Sequence, residues 1–203
     1  VPNDISLGDM AQDGILLYGT NAVGKSSLIK SIGICIVMAQ SGFFVPCSEF
    51  IFKPYKSLFT RILGNDNIFK GLSTFAVEMS ELNVILRNSN NDSLVLGDEV
   101  CSGTETISAL SIFISALKQL NDNKCSFIFA THLHEITDFP YLKDMRGISL
   151  KHMSIRCNEK GVIIYDRKLK NGSGSNIYGL EVCKSLNMPK DFLERAYKIR
   201  LRI

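Results

Sequence analysis

The octapeptide "GTNAVGKS", Gly19 to Ser26, constrains this chain more than any other stretch. It fits G-x-x-x-x-G-K-[ST], and its flanks agree with it. The apolar run "ILLY" at 15–18 precedes it, and Leu28, Ile29, Ile32 and Ile36 follow at helical spacing. The order strand, glycine loop, helix calls for a buried strand that ends in a turn of inward-facing backbone N–H groups. Glycine at 19 and 24 lets those groups close around phosphate oxygens, and the helix N-terminus adds a field that favours an anion. Lys25 would then contact β- and γ-phosphates, and the Ser26 hydroxyl would ligate Mg²⁺. A chance glycine-rich turn would lack the matching strand and helix.

The rest of the pattern alternates strands with helices. After the first helix, "SGFFVPCSEF" reads as a break and residues 63–73 as a loop. Residues 74–88 suit a helix with Phe75, Met79, Leu82 and Leu86 on one side. "NSNNDS" is turn chemistry, "LVLG" (94–97) a second buried strand, 104–121 a helix and "SFIFAT" (126–131) a third strand. Residues 148–157 and 162–169 read as a late β-hairpin joined by "NEKG". Helices follow from 179 and from about 190, the second entered through Pro189. This is an α/β pattern around a largely parallel sheet, without internal repeats.

Bulk properties bound the reading. A chain of 203 residues with 45% hydrophobic and 21% charged content suits one folded domain. No run approaches the ~18 apolar residues of a membrane span. The chain opens "VPNDIS", without a start methionine or charged leader, as a domain cut from a longer protein would. Cys35, Cys47, Cys101, Cys125, Cys157 and Cys183 form no C-x-x-C pair, so they read as buried, reduced thiols of an intracellular protein. Six Lys/Arg against two acids place +4 on residues 184–203, and the other 183 residues carry −1 of the total +3. The main body therefore has no basic excess for a nucleic-acid backbone, and the basic tail reads as a solvated helix face.

Two further stretches carry chemistry. "LVLGDEV" is an apolar strand that ends in paired acids, at the strand end where open α/β sheets bind ligands. Asp98 suits a Mg²⁺ site, and Glu99 suits a general base for an attacking water. The alternative is a pair of solvated loop acids. "FATHLHE" places His132 just past the third strand, where it would sense a γ-phosphate or serve only as structure. His132, His134 and Glu135 would make a metal site only with further ligands, which the spacing does not supply.

"GTNAVGKSS", "STFAVEM", "LVLGDEVCSGT", "FATHLHEI" and "NIYGLEVCKSL" share the order and spacing of the ATPase domain of the MutS mismatch-repair family. The chain resembles that domain over nearly its whole length, including the lead-in "VPNDISL", and most resembles the branch of large DNA viruses and some mitochondria. The resemblance implies a P-loop NTPase of ABC type over 1–188 and the start of a helical dimerisation element over 189–203. It implies ATP and Mg²⁺ at Gly19, Asn21, Gly24, Lys25, Ser26 and Ser27, with Asp98 as metal ligand, Glu99 as base and His132 as switch histidine. With one residue inserted at the "NEKG" turn, His152 in "LKHMSI" matches the family's adenine-packing histidine; otherwise it is an outward strand residue.

The resemblance also implies a head-to-tail pair of domains with shared active sites. Locally Ser73 is a helix cap worth about 1 kcal/mol. In the family, "STFAVEM" reaches the γ-phosphate held by the other subunit, so Ser73 would act in trans, with Glu78 ordering the loop and Met79 packing in the core. DNA would be bound through domains absent from this chain. Thr20, Ala22 and Val23 replace the family's usual Pro, Met and Gly at free positions of the loop. Ser102, in "CSGT", stands where the family has Arg, so the inter-subunit role of that Arg does not carry over. Three rivals remain: a chromosome-maintenance ABC ATPase, which expects an LSGG-like signature; a P-loop kinase, which needs an acceptor site and lid; and a nucleotide-binding dimerisation module with little turnover.

Overall fold

A computed structural model describes residues 1–8, 12–19, 23–62, 74–101, 104–133, 136, 142, 145–158, 163–174 and 179–201. The strands are β1 (Gly14–Tyr18), β2 (Ser57–Arg61), β3 (Ser93–Asp98), β4 (Ser126–Thr131), β5 (Ile148–Cys157) and β6 (Ile163–Asn171). The helices are α1 (Lys25–Gln40), α2 (Thr74–Asn88), α3 (Thr106–Asp122), α4 (Gly179–Ser185) and α5 (Lys190–Arg200). The sheet order is β2-β3-β4-β1-β5-β6, parallel throughout except for β6, which runs antiparallel to β5. The fold is that of a P-loop NTPase, with the late hairpin where the sequence puts it.

Strand periodicity builds a core on each face of the sheet. Leu16, Tyr18, Val95, Phe127 and Phe129 point to one face and pack against Leu82 and Ile85 of α2 and the buried side of α3. Ile15, Leu17, Leu94, Leu96 and Ile128 point to the other and meet Ile29 and Ile36 of α1. Central strands covered on both faces must be apolar at every position, which is why they read as unbroken runs. Glycine opens room where a neighbouring ring needs it. Gly14 is in register with Phe127, and Gly97 with Phe129. A Cβ at Gly97 would lie 2.2 Å from ring carbons of Phe129.

The helix expected from about Lys25 runs over Lys25–Gln40, and the expected helix 74–88 and strand 126–131 form as read. α3 begins slightly later than expected, because Glu105 caps it by accepting the Ser108 N–H at 2.9 Å. β2 is an addition. It is a short, half-buried strand parallel to β3 at the sheet edge. The opposite edge is strapped by the N-terminal segment, where the Leu169 N–H donates to Asn3 Oδ1 at 2.7 Å and the Asn3 amide to the Arg167 carbonyl at 3.0 Å.

The expectation of buried cysteines is corrected in part. Cys101 and Cys125 are buried, Cys35 and Cys183 are half-buried, and Cys47 is exposed; all five are free thiols. Among the described residues, no helix is long and apolar enough to cross a membrane. The expected loop at 63–73, with Ser73, lies outside the described residues, as do Thr20, Asn21, Ala22, Ser102, His134 and Glu135.

Candidate nucleotide site

Adjacent parallel strands bring the candidate residues to one end of the sheet. β1 pairs with β4 so that Tyr18 faces Thr131, and β3 pairs with β4 so that Asp98 faces Ala130. The chain therefore leaves β1 at Gly19, β3 at Glu99 and β4 at His132 on one level. α1 then starts at the mouth of this edge. Its N-cap, Gly24, has φ 103°, in the left-handed region that a side chain rarely adopts, and its carbonyl accepts the Leu28 N–H at 3.0 Å. Gly24, the N-cap residue, has no side chain with which to cap α1.

Lys25 is the buried cation of this edge. Its Nζ donates to the Gly19 carbonyl at 2.5 Å and lies 4.0 Å from Glu99 Oε1. Burial pulls its pKa below the ordinary lysine range, against the opposing pull of the Glu99 and Asp98 carboxylates. Ser26, next in α1, is half-buried, whereas Ser27 is exposed.

Asp98 closes β3 and is buried, and its Oδ1 has no hydrogen-bond partner among the described residues. A buried carboxylate oxygen without a donor costs stability unless something positive meets it. A buried carboxylate with an unpartnered oxygen suits Mg²⁺, which is usually held by one or two protein oxygens plus phosphates. The Asp98 edge thus fits the ion. Among the described residues no group of three or more His, Cys, Asp and Glu could hold a metal by itself, so an ion here would depend on phosphate oxygens and water for the rest of its ligands.

The turn after Asp98 is held in an uncommon conformation. Glu99 has φ 53° and Cys101 φ 68°. Non-glycine residues persist there only when their surroundings hold them. Two bonds do so: the Glu99 N–H donates to the Ala130 carbonyl at 3.0 Å, and the Cys101 N–H donates to Glu78 Oε1 at 2.8 Å. Glu78 is buried in α2, and Met79 packs against the core, as the sequence suggests. Thr131 was not among the candidates, yet its Oγ1 accepts the Leu133 N–H at 3.0 Å and shapes the turn that presents the exposed His132. The signal was a Thr two residues before the acceptor's partner, a common local turn motif.

His152 sits one strand away, opposite Tyr18 on β5. Its Nδ1 is 2.9 Å from the Gly172 carbonyl, which requires the proton on Nδ1. Gly174 lies against the ring, since a Cβ there would come within 2.8 Å of it. The β6 exit therefore fixes the imidazole's orientation.

The family model described as MutS domain V matches residues 15–203. The chain belongs to the MutS family. The mutS homolog of Acanthamoeba polyphaga mimivirus is 45% identical over 94% of the chain and 17% of its own length. The mitochondrial DNA mismatch repair protein mutS homolog of Sarcophyton glaucum is 38% identical over 98% of the chain and 20% of its own length. The DNA mismatch repair protein MutS of Cytophaga hutchinsonii is 35% identical over 98% and 23%. The expected likeness to viral and mitochondrial members holds. This MutS-family chain spans about a fifth of the length of these relatives.

Proposed function

We propose that this domain binds and hydrolyses ATP with Mg²⁺ and couples nucleotide state to DNA mismatch repair in an intracellular full-length protein. The observation that carries the reading is the meeting of Lys25, Asp98 and Glu99 at one end of the central strands, with a buried Asp98 oxygen that has no hydrogen-bond partner among the described residues. Asn21, Gly24, Ser26 and Ser27 with the first turn of α1 would bind the phosphates, and Lys25 would exchange its hold on the Gly19 carbonyl for phosphate oxygens. Asp98 and Ser26 would hold Mg²⁺, which supplies charge neutralisation on the phosphates. Glu99 takes the proton of the attacking water, while His132 orients it. His152, already oriented by Gly172, offers its ring to the adenine.

A second copy of the domain completes each site, with Ser73 reaching the phosphates bound by its partner and DNA held by regions outside these residues. Support for pairing comes from α5, which exposes Phe192 and Ile199 with no fully buried residue of its own.

Phosphate release and equilibrium nucleotide binding test the reading together. Lys25→Ala should lose binding. Glu99→Gln should still bind and should lose turnover by roughly 10²- to 10⁴-fold, the usual contribution of a positioned base. Wild-type binding without Glu99-dependent turnover would instead leave a nucleotide-gated dimerisation module.

A further inference from the structure

Arg61 ends β2, the strand that the sequence pattern does not show. It is in register with Gly97, the residue before Asp98, so β2 stops at the level of the candidate site. Phe59, on the same face of β2, packs against the core that α2 covers. Arg61 points the same way, and its Nε lies 3.0 Å from Glu81 Oε2 of α2. The contact is an ion pair outside hydrogen-bond geometry. The Arg61 side chain is only 12% exposed and that of Glu81 50%. A fully exposed pair of this kind contributes little, whereas a guanidinium withdrawn from water depends on its counter-charge.

α2 is therefore gripped in two ways along one side. Glu78, Glu81, Leu82 and Ile85 follow one another at helical spacing. Leu82 and Ile85 hold the later part of the helix by apolar burial. The earlier part is held by carboxylates: Glu81 on Arg61 at the end of β2, and Glu78 on the Cys101 N–H just beyond β3. Glu78 and Glu81 lie within one helical turn, so what fixes Glu81 also fixes the reach of Glu78. Glu78 in turn holds the turn that carries Glu99 at φ 53°.

We propose that Arg61 is a positioning residue for hydrolysis. Through Glu81 it sets the pose of α2, and through Glu78 it sets the turn that aims the Glu99 carboxylate at the attacking water. It acts on the rate through these residues and not by holding nucleotide. The role rests on Glu99 being the base, as proposed above.

Single-turnover hydrolysis and equilibrium binding of ATP with Mg²⁺, in the full-length protein, test the role. Arg61→Met and Glu81→Gln each remove the ion pair, the second from its half-exposed side, where folding is least at risk. Each should slow hydrolysis by roughly tenfold, within the 10²-fold that misplacing a reacting group by about 1 Å costs. ATP affinity should stay at the wild-type value. Arg61→Lys, which keeps the charge, should recover most of the rate. Ile85→Val, which loosens only the apolar grip on α2, should keep the wild-type rate. The deciding comparison is made in Glu99→Gln, where adding Arg61→Met should cost nothing further, because both changes act through one group. A second loss of the same size in that background overturns the proposal. So do wild-type rates in Arg61→Met and Glu81→Gln, or a loss of ATP affinity that accounts for the slower rate. If Glu99→Gln alone keeps the wild-type rate, the base assignment fails first and the positioning role falls with it.

Discussion

Asp98 and Lys25 are each placed against their own preference. A buried carboxylate oxygen without a donor among the described residues and a buried ammonium with a lowered pKa both cost folding free energy, and both sit where a nucleotide and its metal would relieve them. Two predictions follow at this scale. With ADP present, saturating Mg²⁺ should raise the unfolding free energy of the wild type, by about 2.7 kcal/mol at a hundredfold excess over Kd. Asp98→Asn should lose most of that increment in urea titrations; an equal gain in both proteins would remove Asp98 from the metal. Lys25 makes the second prediction without ligand. Its folded pKa lies below the unfolded one, so between the two the unfolded chain holds more protons and stability rises with pH. The penalty is fully present below the folded value and disappears as pH enters the ordinary lysine range. The wild type minus Lys25→Met difference in unfolding free energy should therefore grow with pH across that window, and a flat difference would count against a buried, destabilised ammonium.

At the scale of elements, the glycines facing the β4 phenylalanines carry a sharp contrast. Phe129 is fixed between Phe113, edge-on at 5.6 Å, and Phe127 at 5.9 Å, so it cannot step aside for a Cβ at Gly97. Gly97→Ala should cost about 3 kcal/mol, at the upper end of overpacking penalties. Gly33 in α1 meets only the tip of Leu96, at 2.9 Å, and Ala gains about 1 kcal/mol over Gly in a helix. Gly33→Ala should be near neutral, and equal losses in the two variants would contradict this packing account. The same strands explain what was legible in the sequence. β1, β3 and β4 are covered on both faces, and their unbroken apolar runs could be read directly. β2 escaped because an edge strand half-covered by its neighbours keeps only a weak pattern: Leu58 and Phe59 sit among Ser57, Thr60 and Arg61, directly after a long irregular stretch. The exposure of Cys47 escaped for a related reason, since local apolar context does not tell which way a loop folds back.

At the scale of the whole molecule, the site was legible as far as strand topology carries it. Parallel strands with residues of known type at their ends place Lys25, Asp98 and Glu99 together once the order β3-β4-β1 is formed. The bonds that hold the turn were less visible. Glu78 lies on α2, far along the chain from Cys101, and only the folded packing of α2 beside β3 turns its carboxylate into the acceptor of that N–H. α2 begins at Thr74, immediately after Ser73, so one helix would both brace its own Glu99 turn and present Ser73 to a partner. Such an arrangement would couple the two sites of a dimer through a single element. It also makes the final prediction a matter of arithmetic. Lys25→Ala and Ser73→Ala should each be inactive alone, Ser73→Ala by roughly 10²-fold, as for losing one transition-state donor. When the two are mixed in equal amounts and allowed to exchange, half the dimers are mixed in a two-fold assembly. Each mixed dimer has one site with both residues intact and one with neither. Turnover should return to about a quarter of the wild-type value, as the two-fold assembly requires. If Ser73 served its own nucleotide, every site in every dimer would lack one residue or the other, and the mixture would stay as inactive as its parts. Native mass spectrometry of the mixture and circular dichroism of each variant would show that exchange and folding had occurred.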